Sequence, residues 1–193
     1  MSADYSVQIE GAEEVSRALD KIAWATTPRG MHQVLKDAGM ILRKRSMQAF
    51  REEAAPEYVG DGTGGGDQWE PLAASTQHAR RKGRQSRGRS NKTLQDTGDG
   101  RRSISIDADV SERSVAVGTA KKYMSYQQTG TDPYTITPKN APMLVFMGSN
   151  GSLVFAKKVN HPGLPARPFI GYDKSDIASI LNMTASHLRR AAG

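Results

Sequence analysis

The sequence predicts an α+β fold: one antiparallel or mixed sheet built from hairpins, a long N-terminal helix and a C-terminal helix packed on it, and long extended loops. Three observations carry this. Apolar residues stripe one helical face from Met31 to Phe50 and another from Ile177 to Leu188. Between them, alternating segments flank Ser111-Glu112-Arg113 and Gly148-Ser149-Asn150-Gly151, two hairpin signals. No internal repeat interrupts the series, and 193 residues suit one domain spanning 1–193. At this length roughly 70% of the unfolded chain's surface can be buried, so a core forms without staples.

The elements follow in order. Tyr5, Val7 and Ile9 alternate with polar residues, the period of a strand, until Gly11 breaks it. Val15, Leu19, Ile22 and Ala23 then fall at helical spacing. Thr27-Pro28 reads as an N-cap followed by proline at the first helical position, where a missing N–H costs nothing. Met31, Val34, Leu35, Ala38, Leu42 and Ala49 continue that helix to about Phe50, and Arg43, Lys44 and Arg45 near its end oppose the negative pole of the helix dipole. The segment 56–68 is a Gly-rich loop, and a short helix is predicted over Ala73–Lys82. The segment 83–91, almost all Gly, Ser and Arg, reads as a second, basic loop.

Ser103–Val110 and Ser114–Gly118 form the first predicted hairpin, and Leu144–Met147 with Leu153–Val159 the second. Tyr123–Gln128 suits a short helix ending at Gly130. Pro162, Pro165 and Pro168 make Asn160–Phe169 an extended loop. The last helix starts near Asp173 and is striped by Ile177, Ile180, Leu181, Thr184 and Leu188.

Lys plus Arg number 27 against 20 acids, a net charge of +7. The whole excess sits between Arg80 and Lys92, where Arg80, Arg81, Lys82, Arg84, Arg87, Arg89 and Lys92 stand without an acid. The rest of the chain is neutral, which argues against a body-wide nucleic-acid clamp. The absence of cysteine removes disulfides, thiolate metal sites and cysteine nucleophiles, and fits a reducing compartment. The longest unbroken apolar run, Met143–Met147, is far short of the ~20 residues of a membrane span. The first ten residues carry Asp4 and Glu10 and no base, unlike a secretory signal. A soluble intracellular protein without membrane contact is the expectation.

Chemical motifs are sparse. His32, His78, His161 and His187 are scattered, without metal-ligand spacing. No serine sits in a G-x-S-x-G elbow. The glycines from Gly60 to Gly66 lead into Asp67, which repels phosphate where a P-loop needs Gly-Lys-Ser/Thr. Asp96-Thr97-Gly98 spells an aspartic-protease triplet, but that chemistry needs two aspartates sharing a proton, and only one triplet exists. Asp-Thr-Gly is equally good turn chemistry. The basic run either contacts phosphates or forms a solvated loop facing an acidic partner; it lacks interleaved aromatics for base stacking. No catalytic, cofactor-binding or metal-binding residue is assigned, and the chain is expected not to be an enzyme.

Several separated motifs occur in a telling order. Trp69-x-Pro71-Leu72 precedes Ser75-Thr76 and the basic stretch; Thr97-Gly98 with Ser103-Ile104, Val117-Gly118-Thr119, and Tyr123 to Gly130 with Gln127-Gln128 follow. Phe155-Ala156-Lys157-Lys158-Val159 then leads to His161-Pro162-Gly163-Leu164-Pro165-Ala166-Arg167-Pro168-Phe169-Ile170-Gly171. Over roughly residues 28–190 this resembles the virion morphogenesis, or tail-completion, proteins of Mu-like tailed bacteriophages, which are similar to lambda-like tail-completion and neck proteins. One departure is Gly100, where the family pattern usually has an aliphatic residue.

The resemblance implies a structural subunit at the head–tail junction of the virion, assembled in the host cytoplasm, by analogy a hexameric ring. The implied partners are further copies of the chain, the head connector or stopper, and tail tube or terminator proteins, with transient nonspecific DNA contact at most. A tail-tube terminator is the alternative within the class; a nucleic-acid-binding protein using 80–92 is the alternative outside it. Candidate interface residues are Trp69, Leu72, Arg80, Arg81, Lys82, Arg84, Arg87, Arg89, His161 and Arg167. Thr97, Gly98, Gly130, Pro165, Pro168 and Phe169 are candidate structural anchors. Trp69 suits either an interface anchor or the core. Arg167 suits either a neighbour's carboxylate or an intrachain acid such as Asp173.

Overall fold

The computed structural model describes residues 12–59, 65–82, 91–109, 114–148 and 150–192. The strand expected at Tyr5–Ile9 and the turn at Ser111–Arg113 lie outside them. Helices α1 (Ala12–Ala25) and α2 (Pro28–Glu52) open the chain and α6 (Lys174–Ala192) closes it. Between them come the short helices α3 (Ala74–Lys82), α4 (Asp99–Arg102) and α5 (Lys122–Thr129), and strands β1 (Ile104–Asp109), β2 (Ser114–Thr119), β3 (Tyr134–Ile136), β4 (Leu144–Met147), β5 (Leu153–Ala156) and β6 (Val159–His161). The α+β class holds.

Local chemistry places the helix ends. Thr27 is extended, and its hydroxyl oxygen accepts the Gly30 N–H at 3.1 Å, capping α2 as Thr-Pro predicts. Glu53 takes φ 55° and stops the helix. Its carbonyl then accepts the Trp69 N–H at 2.7 Å, so the end of α2 is tied to the motif that follows the Gly-rich segment.

The single predicted sheet is instead three separate two-stranded antiparallel ladders among the described residues: β1–β2, β3–β6 and β4–β5. The hairpins are where the turn signals put them, with Ile104 opposite Thr119 and Leu144 opposite Ala156. The segment predicted as one strand from Leu153 to Val159 breaks after Ala156, and its end, Val159–His161, pairs with Tyr134–Ile136. Asn160 and His161 are therefore strand, not loop. The two described ends of the Gly-rich segment are better held than its composition suggests: bridges join Ala54 to Gln68 and Tyr58 to Tyr172, and the Gly66 N–H donates to the Pro56 carbonyl at 2.9 Å.

α2 is the central post, meeting β1–β2 as well as α6, while α1 lies along α6. Phe50 at its end is fully buried with Trp69, Ile104, Met124 and Phe169 around it. Phe50 meets Trp69 edge-on at 5.7 Å and Phe169 at 5.3 Å between ring centroids, separations favourable for aromatic pairs. Gly100, the departure from the family pattern, is buried in α4, where an added Cβ would lie 2.5 Å from Met124 Sδ. The small residue lets Met124 reach the core.

Arg51 is the base in the last turn of α2, while Arg43 and Arg45 reach sideways. Arg43 Nε donates to the Ile104 carbonyl at 3.0 Å. Arg45 bridges to Asp173 at 2.6 Å and Asp176 at 2.8 Å, clamping α2 to the start of α6. The hydrogen bond to Asp176 raises the Arg45 pKa above its ordinary value against the effect of burial, with Asp173 adding to the attraction.

Candidate assembly surface

The Asn160–Phe169 strip is held by side-chain and backbone contacts from three directions. Trp69 Nε1 donates to the Pro168 carbonyl at 2.9 Å. Gln128 Oε1 accepts the N–H groups of Phe169 and Ile170, both at 3.0 Å, while its Nε2 donates to the Ile170 carbonyl at 2.9 Å. Thr131 and Leu164 exchange backbone hydrogen bonds at 3.0 and 3.2 Å. Gly130 ends α5 at φ 76°, with the Leu164 carbonyl 2.7 Å from where a Cβ would stand, so both conformation and space require glycine.

These contacts resolve two open choices. Trp69 is only 7% exposed and belongs to the core of its own chain, not to a free interface. Arg167, also 7% exposed, meets neither Asp173 nor an outward carboxylate: Nε donates to the Glu70 carbonyl at 3.1 Å and Nη2 to the Pro71 carbonyl at 3.3 Å. Burial lowers its pKa, partly offset by Glu70. Asp173 is taken by Arg45. The arginine fork thus ties the strip to Trp69-Glu70-Pro71, and Phe169 is the buried anchor at 1% exposure.

The other predicted residues divide. Thr97 Oγ1 accepts the Asp99 N–H at 3.4 Å and Gly98 sits at φ 73°, so Asp-Thr-Gly works as the turn into α4. Asp99 is held below the usual carboxylate range by its hydrogen bond with Lys121. His161 stacks on Tyr134 at 4.8 Å, and its Nδ1 accepts the Gly163 N–H at 3.1 Å, a structural placement. Arg80 turns back on its own chain, 3.7 Å from Asp96 and donating to the Lys92 carbonyl at 3.0 Å. Arg81 is exposed. The Lys82 side chain and Arg84, Arg87 and Arg89 lie outside the described residues.

Leu72, Thr76, Thr97, Gln127, Leu164 and Arg167, from four of the separated motifs, line one cleft of about 400 Å³. Within it Gln127 Oε1 is buried without a hydrogen-bond partner.

A model of the phage virion morphogenesis family matches residues 11–189. The chain belongs to that family. Neither a curated protein nor a solved structure matches it. Membership makes it a phage protein of virion assembly, and none of the described helices is long and apolar enough to cross a membrane.

For a protein of this family, the informative surface is one its side-chain motifs did not mark. The β4–β5 ribbon leaves Val145 56%, Phe155 60% and Leu153 61% exposed, with Phe146 and Val154 partly so. On the helices, Val15 and Leu19 of α1 and Ile177 and Leu181 of α6, each assigned by spacing to a core stripe, are exposed as well. The stripes are wider than the faces their neighbours cover. Scattered apolar residues on a monomer need no explanation, but a ribbon apolar on both faces does.

Proposed function

We infer that this virion morphogenesis protein is a tail-completion or neck subunit that joins tail to head by associating with copies of itself in a ring. Its work is binding, and no bond-making step is assigned to any residue. The exposed apolar surface of the β4–β5 ribbon carries this reading. A two-stranded ribbon is marginally stable in water, and five exposed large apolar residues on it favour cover by another molecule. The partners in this reading are further copies of the chain, the head connector or stopper, and the tail tube or terminator. The well-anchored strip and its cleft support the fold that presents the ribbon.

Quantitative peptide mass spectrometry of purified particles tests the reading. About six copies per particle, as a closed sixfold ring requires, is the expected result. Complete absence from finished particles overturns it.

A further inference from the structure

We propose that the β4–β5 ribbon of one copy docks on the α1 face of the next, a contact that rests on the self-association inferred above. In the ribbon's register Val145 stands opposite Phe155 and Met147 opposite Leu153, so these four share one face. That face is the more exposed of the two, and β4 is the strand that meets α3. On α1, Ala25 is buried and its carbonyl lies 3.4 Å from His187 Nε2 of α6. Val15 and Leu19, one helical turn apart, are both 60% exposed.

Charge selects the pairing. From residue 133 to 172 the chain carries no acid, and Lys139, Lys157 and Lys158 flank the ribbon. On α1 the acids Glu13, Glu14 and Asp20 outnumber the bases Arg17 and Lys21, with Glu14 adjoining Val15 and Asp20 adjoining Leu19 in the chain. Arg17 of the same helix turns its Nε onto the Glu13 carbonyl. A lysine-flanked apolar ribbon and a partly apolar helix of net negative charge are complementary. Ribbon against ribbon instead brings Lys157 and Lys158 of both copies together.

The two surfaces sit on different elements, since α1 packs on α6 and α2 while the ribbon meets α3. Unlike surfaces joined head to tail propagate around an axis, and such contacts close into a ring when the rotation from copy to copy closes.

Phe155→Asp and Leu19→Asp each place a charge in the centre of one surface, at exposed positions where the fold survives. Light scattering on the full chain should show wild type associating with concentration and each variant monomeric, with an unchanged thermal melt. An equimolar mixture should form a two-chain species and nothing larger, because one good surface remains on each partner. Leu19→Asp that associates like wild type overturns the proposal in favour of ribbon-to-ribbon pairing. A mixture that stays monomeric while wild type associates overturns the contact alone.

A second measurement covers a chain that associates only in particles. The sequence has no cysteine, so Leu19→Cys combined with Leu153→Cys reports the contact cleanly on oxidation of purified particles. A ladder of crosslinked multimers is expected, with neither single variant crosslinking. Dimers from Leu153→Cys alone, or no ladder from the pair, overturn the contact. A single copy per particle overturns the self-association reading as well.

Discussion

The Gln128 side chain pairs with Ile170 as a neighbouring strand would: Nε2 donates to the Ile170 carbonyl at 2.9 Å, and Oε1 accepts the Ile170 N–H at 3.0 Å. The same oxygen accepts the Phe169 N–H. One amide therefore satisfies three part-buried backbone groups immediately after Pro168. Gln128→Ala leaves all three unpaired and should lower unfolding free energy by about 2–4 kcal/mol. Gln128→Glu keeps the acceptor but loses the donor, so its loss should be about half as large. Urea unfolding of both variants measures the difference, and equal losses would show that the amide fills space without pairing.

Phe169, held in place by that amide, contacts Phe50 with almost no exposed surface. Phe169→Ala removes an aromatic ring from the centre of the core and should cost about 3–5 kcal/mol, with insoluble protein as the visible result. Solubility and thermal melts check this. A variant that keeps full stability but fails to assemble would move Phe169 from the core to an interface.

Local signals made much of this fold legible. Thr27-Pro28, Gly130 and the glycines at Gly148 and Gly151 act within a few residues, so their outcome depends little on the rest of the chain. The β3–β6 ladder was not legible. Its strands are three residues each and far apart in sequence, too short for a period to show. Gln128 lay within a motif but gave no sign of which backbone it would meet. Arg45 and Arg167 were marked as cations, yet their partners come from segments 131 and 97 residues away, which composition does not encode. The sequence predicts the ribbon as a hairpin, but its exposure depends on three ladders forming in place of one sheet.

Arg45 tests the helix clamp. Its guanidinium contacts both Asp173 and Asp176, and Asp176 is buried. Arg45→Ala strands the Asp176 carboxylate without its cation and should destabilise by about 3 kcal/mol, at the low end for buried pairs because Asp173 is partly exposed. Arg45→Lys keeps the charge but not the planar fork, so an intermediate loss is expected. Chemical denaturation distinguishes the three proteins. Hydrogen exchange should show the first turn of α6 loosening first.

Acid should weaken the same end of α6 by a different route. The Glu57 carboxylate accepts the Lys174 N–H at the start of the helix, and that bond lowers its pKa from the ordinary 4.5. The folded value lies below the unfolded one, so the stabilisation is complete above pH 4.5 and fades as pH falls through the folded value. Asp99 is lowered in the same direction by its hydrogen bond with Lys121. Stability measured between pH 6 and pH 3 should therefore fall less steeply in Glu57→Gln combined with Asp99→Asn than in wild type, because the excess proton binding of the unfolded chain at these two carboxylates is removed. Because both carboxylates are exposed, salt should shrink the difference between the two proteins. Identical slopes at low ionic strength would show that neither carboxylate is held down in the folded chain.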